Sequence, residues 1–297
     1  MRIVSLVPSA TETLFALGVG DRVVAVTHEC DYPADVADLP RVTRDVIAPG
    51  LGPDEIDRAV RELTEAGRSI YELDAAALRR LHPDLIVTQA LCSVCAASVD
   101  DVREIAQTLD PVPQIVSLDP HTVGEVLGDV RTLAQAVDAK DAGVGLVQDV
   151  ASRIDRVRLA ARGLPPVRVA ALEWLDPVYV GGHWVPQLIA YAGGEDVLGL
   201  PGEPSEQRSW AEVAAAEPQV VVVMPCGYDA ERGLAEAQRY GDELAELGAE
   251  RVVVADAAAW FSRPGPRLVD GLEWLGHVLH PDRLPEPPAG VRELVLA

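Results

Sequence analysis

Arg2-Ile3-Val4-Ser5-Leu6-Val7-Pro8-Ser9-Ala10-Thr11-Glu12 opens the chain. Ile3 to Leu6 is a short, mostly β-branched apolar run and reads as a buried strand. Ser9-Ala10-Thr11-Glu12 then starts a helix through about Leu17, with Ser9 as N-cap and Glu12 at the capping-box position. Gly18 and Gly20 end it. A strand feeding straight into a helix is a βα unit, and the unit recurs along the chain.

Working outward, Val23 to Val26 is the next strand, followed by the loop Thr27-His28-Glu29-Cys30-Asp31-Tyr32-Pro33. The punctuation Pro49-Gly50-Leu51-Gly52-Pro53 precedes an acidic helix from Asp54 to about Ala66. A helix over Asp74 to Leu81 leads into the strand Leu85 to Val87, and Ile115 to Leu118 closes the first sheet. After Pro165-Pro166 the alternation resumes. Strands fall at Val167 to Leu172, Val220 to Met224 and Val252 to Ala255. Helices fall near Val185 to Ala192, Trp210 to Ala216, Glu231 to Leu247 and Pro266 to His280.

Between the halves, residues 121–163 contain no proline. Val123, Val126, Leu127, Val130, Leu133 and Ala134 share one helical face. A continuous helix there would span roughly 60 Å at about 1.5 Å per residue. The expectation is an α/β protein of two Rossmann-like lobes, residues 1–120 and 164–297. One long rigid helix over 121–163 joins them, and the ligand cleft lies between the lobes.

Composition narrows the function. The 297 residues carry 48% hydrophobic side chains, enough for packed cores, and a net charge of −22. Lys140 is the only lysine. So strong an acidic balance argues against nucleic acid and anionic membrane surfaces as partners. No segment reaches the length of apolar chain needed to span a bilayer. Met1-Arg2 runs straight into the first strand without an export signal, so the chain as written is expected to be cytoplasmic, or extracytoplasmic if the true start lies upstream.

The four cysteines fall where a ligand would sit. Cys30 follows Val23 to Val26, Cys92 and Cys95 follow Leu85 to Val87, and Cys226 follows Val220 to Met224. In open α/β sheets ligands bind outside the carboxyl ends of the strands. Cys92-x-x-Cys95 has the spacing that can chelate one metal or form a redox pair. With Cys30 and Cys226 it makes a candidate four-thiolate site for an iron–sulfur cluster or, second, zinc, with His28 as a spare ligand. The competing explanation is that each thiol is a small buried hydrophobe.

Further stretches carry a resemblance: Asp31-Tyr32-Pro33, Leu81-His82-Pro83-Asp84-Leu85-Ile86-Val87, Pro177-Val178-Tyr179-Val180-Gly181-Gly182, Ala192-Gly193-Gly194-Glu195, Ser209-Trp210-Ala211-Glu212-Val213 and Trp260-Phe261-Ser262-Arg263-Pro264-Gly265-Pro266-Arg267. In their order and spacing, together with the opening segment, they resemble the class III periplasmic binding proteins of ABC importers, the helical-backbone metal-receptor group. Within that group the likeness is greatest to the cobalamin-binding members. The resemblance implies a clamp for a flat, metal-containing cofactor, cobalamin or another corrinoid first, haem or a siderophore next. It also implies an ABC transporter permease as partner; Asp100-Asp101 and the Glu203 to Glu206 stretch are placed to offer acidic contacts, but in a chain of net charge −22 they read as ordinary solvated surface. Tyr32 falls where the family has a ligand-facing tyrosine. Three features depart from the family: the missing export signal, an insertion over about residues 45–70, and the four thiols.

The expected ligand wall is aromatic: Tyr32, Trp184, Trp260 and Phe261, with Arg263 or Arg267 meeting a carboxamide, carboxylate or phosphate. His183, in Gly181-Gly182-His183-Trp184, is a candidate ligand to a bound metal. No catalytic set appears: there is no Gly-x-Ser-x-Gly, no His-Glu-x-x-His and no phosphate loop after a strand. Glu173 and Asp176 are read as wall residues.

Overall fold

The computed structural model describes residues 1–48, 50–66, 68–90, 99–288 and 290–294. These fall into two compact units. One comprises Met1–Pro120 and Glu125–Val147, the other His121–Gly124 and Gln148–Ala297.

The first unit runs β1 (Ile3–Ser5), α1 (Pro8–Ala16), β2 (Val23–Val26), β3 (Thr43–Asp45), α2 (Pro53–Glu65), β4 (Tyr71–Leu73) and α3 (Ala75–Leu81). It continues with β5 (Leu85–Gln89), α4 (Val99–Gln107) and β6 (Gln114–Leu118). Its sheet has the order β2-β1-β5-β6 and every pairing is parallel. The strands are apolar on both faces, as a parallel sheet covered on both sides requires. Ile3, Val26 and Val87 point into one core, Val4, Ala25 and Ile86 into the other. The insertion expected over residues 45–70 contains α2, flanked by the antiparallel pair β3–β4.

Helix α1 begins one residue before the expected N-cap. Val7 is the cap, without a side-chain bond, and Pro8 occupies the first turn, a position suited to its fixed φ and missing N–H. Ser9 and Glu12 are therefore inside the helix and buried. The helix ends as expected at Gly18, which has φ 75°. There the Gly18 N–H bonds the Phe15 carbonyl and the Val19 N–H bonds the Leu14 carbonyl, the double closure that favours glycine in the left-handed region.

The single helix expected over 121–163 is two helices, α5 (Val123–Ala136) and α6 (Lys140–Ala161). Asp138 sits between them at φ 55°. The Asp138 N–H bonds the Gln135 carbonyl and the Ala139 N–H bonds the Ala134 carbonyl, so α5 closes with the same cap as α1, with a short polar residue in place of glycine. The apolar periodicity runs through both helices, which is why it cannot reveal the break.

The second unit contains β7 (Val167–Leu175), β8 (Val178–Val180), α7 (Val185–Tyr191), β9 (Gly194–Asp196), β10 (Glu206–Gln207) and α8 (Trp210–Ala215). It continues with β11 (Val220–Val223), α9 (Ala230–Arg239), α10 (Gly241–Glu246), β12 (Arg251–Val254), α11 (Ala257–Trp260), α12 (Leu268–Leu279) and β13 (Arg292–Glu293). The sheet order is β10-β8-β7-β11-β12-β13, with β9 alongside the first half of β7. Strands β7, β11 and β12 are parallel and central, with antiparallel additions at both edges. The helix expected over Glu231 to Leu247 is likewise two, α9 and α10, divided at Tyr240-Gly241.

Candidate functional site

In the second unit the loops that follow β7, β11 and β12 are tied together at the carboxyl edge of the sheet. Pairing between β7 and β8 shifts between Leu172 and Trp174, so Glu173 is the extra residue of a β-bulge. Bulges re-aim side chains at sheet rims. The Glu173 carboxylate accepts a hydrogen bond from Ser205 Oγ at 2.5 Å, and its backbone carbonyl accepts from the Cys226 N–H at 3.0 Å. The next residue, Gly227, donates its N–H to Ser262 Oγ at 3.1 Å. Trp174 and Tyr228 meet edge to face with ring centroids 5.5 Å apart. The Arg232 guanidinium stacks 3.6 Å above the Tyr228 ring. Burial pushes the Tyr228 hydroxyl above its ordinary pKa, with Arg232 pulling the other way.

The loop before α7 is held just as closely. A Cβ on Gly182 would lie 2.4 Å from the Ser205 nitrogen, so only glycine fits between these segments. His183 has φ 52°. Its N–H donates to the Glu203 carbonyl at 2.6 Å and its carbonyl accepts from the Gly202 N–H at 2.9 Å. Its ring stacks on Trp184 at 5.7 Å and meets His121 edge-on at 5.4 Å. His183 and Ser205 are thus brought to the loops beside Glu173.

Two expected ligand-wall aromatics are core residues instead. Trp184 is 4% exposed and Phe261 2%. The Trp184 indole N–H donates to the Phe261 carbonyl at 2.9 Å, and the Phe261 ring packs edge-on against Trp274 at 6.3 Å. The reason is the short helix α11, capped by the Asp256 side chain on the Ala259 N–H. It turns the segment back onto α12, where Gly271 leaves room for Trp260 and Phe261. Trp260, Arg263 and Arg267 remain half-buried.

In the first unit, Tyr32 is 47% exposed on the loop after β2. His28 Nδ1 lies 2.8 Å from Thr43 Oγ1, and its ring meets Tyr71 at 5.1 Å. Cys30 is not a ligand-facing thiol. It is 2% exposed and part of the core that covers one face of the sheet. Its Sγ is 3.2 Å from Thr11 Oγ1 and 3.5 Å from Thr27 Oγ1. Cys226 is exposed. Cys92 and Cys95 lie outside the described residues. Among the described residues no group of three or more His, Cys, Asp or Glu side chains forms a metal site. A packed Cys30, bonded to threonine hydroxyls, does not fit a four-thiolate cluster.

Residues 203–206 read from sequence as an ordinary acidic loop, which gives no sign of the Ser205 contact to Glu173. The bulge is equally hidden, because it falls at Glu173, just past the expected end of the strand at Leu172. Asp176, read as a wall residue, is exposed and accepts from Tyr240 at 3.4 Å.

Both α/β units carry polar and aromatic side chains on loops that follow their parallel strands. The periplasmic binding protein family matches residues 3–249, and the chain belongs to that family. The vitamin B12-binding protein of Vibrio cholerae is 25% identical over 92% of this chain and 86% of its own length. The uncharacterized ABC transporter substrate-binding lipoprotein YvrC of Bacillus subtilis is 23% identical, over 96% of this chain and 82% of its own. The crystal structure of a periplasmic haem-binding protein from Pseudomonas aeruginosa superposes with a TM-score of 0.72 at 19% identity, covering 99% of this chain and 98% of that one. That likeness is one of fold.

Proposed function

We propose that this chain is the substrate-binding component of an ABC importer and that its cargo is a corrinoid, cobalamin in the first instance. The observation that carries the reading is the similarity to a vitamin B12-binding protein across nearly the whole chain, through both units. The chemistry of the loops is compatible with it. A corrinoid is a broad, largely apolar disc with a polar periphery, and such ligands are held by aromatic and aliphatic walls with a few placed polar groups. Tyr32 and the half-buried Trp260 supply aromatic surface. Arg263 is the cation suited to the phosphodiester of the nucleotide tail, and His183 is the imidazole suited to the metal face. In this reading Trp184 and Phe261 support the wall from behind.

Haem is the second reading, favoured by the structural likeness to a haem-binding protein. An iron–sulfur or zinc protein is the weakest of the three, because Cys30 is engaged in the core. With an importer permease as partner, the protein acts outside the cytoplasmic membrane. Cell fractionation separates that from the cytoplasmic location expected from its opening residues.

Titration of the purified protein with cyanocobalamin, haemin and a ferric siderophore, followed by calorimetry, tests the assignment. The reading predicts saturable one-to-one binding of cyanocobalamin. Saturation by haemin or siderophore with no response to cyanocobalamin overturns it.

A further inference from the structure

We infer that Arg232, propped on the ring of Tyr228, is an anion-binding position of this receptor and that it meets the phosphodiester of a complete corrinoid. This inference rests on the reading of the chain as a corrinoid receptor and goes further, to a residue that tells a corrinoid with its nucleotide tail from one without it.

Tyr228 lies on the loop after β11, at the edge where ligands of open α/β sheets bind, and is 5% exposed. Its ring is fixed from several sides. Trp174, at the end of β7, meets it edge to face at 5.5 Å, and the Trp174 indole N–H is itself held by the Asp176 carbonyl at 3.1 Å. From the segment after β12, the Ala258 N–H donates to the Tyr228 carbonyl at 3.0 Å. Ser262 Oγ accepts from the N–H of the neighbouring Gly227 at 3.1 Å. Arg232 follows in the first turn of α9, where Asp229 caps the Arg232 N–H at 2.7 Å. Its guanidinium sits 3.6 Å from the centre of the Tyr228 ring.

The stack decides what Arg232 can do. The chain carries 47 acidic side chains against 25 basic ones, and Arg239, two turns along the same helix, is paired with Glu236 at 3.1 Å. Among the described residues the Arg232 guanidinium is held by the Tyr228 ring and by no carboxylate. Arg232 is exposed, and a guanidinium held through its face keeps its N–H donors at its edge. The charge is therefore presented at a position set by cation–π attraction before any ligand arrives, which lowers the ordering cost of binding. The group that fits it is an oxyanion able to accept two parallel N–H bonds. Cobalamin carries one such group, the phosphodiester that joins the corrin periphery to the nucleotide base. Cobinamide, the same ring without the nucleotide, offers carboxamides and no oxyanion. Arg232 is thus a second cation for this group, besides Arg263.

The test compares two ligands across three proteins: wild type, Arg232→Gln and Arg232→Glu, each titrated with cyanocobalamin and with dicyanocobinamide. Glutamine removes the charge and glutamate reverses it. Arg232→Gln is expected to weaken cyanocobalamin about fivefold, the scale of a charge-assisted hydrogen bond to a solvent-exposed group. Arg232→Glu is expected to weaken it about twentyfold, because attraction becomes repulsion. Dicyanocobinamide is expected to hold within about twofold in both variants, and its binding shows that the variants are folded. If wild type binds cyanocobalamin and both variants hold it within about twofold, or if both variants lose the two ligands alike, Arg232 does not read the phosphodiester. This inference is then wrong while the corrinoid reading survives. If wild type binds neither corrinoid, the corrinoid reading itself is wrong and the inference goes with it.

Discussion

The indole N–H of Trp184 donates to the backbone carbonyl of Phe261 across 2.9 Å, and both side chains are almost wholly buried. This bond joins the start of α7 to the turn between α11 and α12, two segments far apart in sequence. It satisfies a polar atom that burial would otherwise leave unpaired. Trp184 is therefore a structural anchor of the loops that carry His183 and Arg263.

Replacing Trp184 tests that role. Trp184→Ala is expected to lower stability by about 3–5 kcal/mol, as loss of a large core side chain does. Trp184→Phe, which keeps a ring but loses the hydrogen bond, is expected to lose roughly 1–2 kcal/mol. Denaturant melts check both. Unchanged stability in Trp184→Ala would return this residue to the ligand wall.

Cys30 is a packed thiol bonded to Thr11 and Thr27. Cys30→Ala is expected to lower stability by about 1 kcal/mol, through a small cavity and the loss of its two weak contacts to threonine hydroxyls. Elemental analysis is expected to show the same iron, zinc and cobalt content before and after the substitution. Loss of a metal on changing Cys30 would contradict its placement in the core.

Asp129, on α5, carries a pH signature. Burial first, then the nearby carboxylates of Asp119 and Glu125, push its carboxyl up to about 6. An acid with a raised folded pKa binds its proton more tightly in the native state than in the unfolded one. Its destabilising effect is therefore complete above about pH 6 and is relieved as pH falls toward the unfolded value near 4. Because Asp129 is only partly buried, solvent screening reduces the effect, and Asp129→Asn is expected to gain only about 1 kcal/mol at pH 7.5. At pH 4 the variant and wild type are expected to melt together. A gain of the same size at both pH values would show that charge is not the cause.

Two glycines of α6 separate packing from propensity. A Cβ on Gly143 would lie 2.4 Å from the Ala134 Cβ on α5, whereas one on Gly145 meets nothing within 4 Å. Gly143→Val is expected to cost about 1–3 kcal/mol through overpacking. Gly145→Ala is expected to add roughly 0.5–1 kcal/mol through helix propensity alone. Thermal melts of the pair check the close approach of Gly143 to Ala134, and equal effects would deny it.

Much of the architecture is legible in the sequence because buried parallel strands advertise themselves. Val23–Val26 coincides with its expected bounds, and Leu85–Gln89, Gln114–Leu118 and Val220–Val223 lie within a residue or two of theirs. So does the start of α3, where Asp74 caps the Ala77 N–H. The two helix breaks are hidden for a common reason. Asp138 and the Tyr240-Gly241 step interrupt the backbone without interrupting the apolar stripe, and periodicity reports only the stripe.

The candidate site is less legible. Aromatic residues in loops look alike whether they face a ligand or a neighbouring helix. The sequence places Trp184 and Phe261 in a ligand wall, and only the α11 turn shows that they face inward. Cys30 sits at a strand end as expected, yet its thiol points to Thr11 across the core. Glu173 reads from sequence as a wall residue, and neither its place on a bulge nor its bond from a serine over thirty residues away can be seen there. Contacts of that kind are set by the fold and leave no local pattern.

The most direct test of the account is an isothermal titration of the purified full chain with cyanocobalamin, run beside haemin under the same conditions. The account predicts a saturable one-to-one isotherm with cyanocobalamin and weaker binding of haemin. No heat with cyanocobalamin, together with tight binding of haemin, would contradict it.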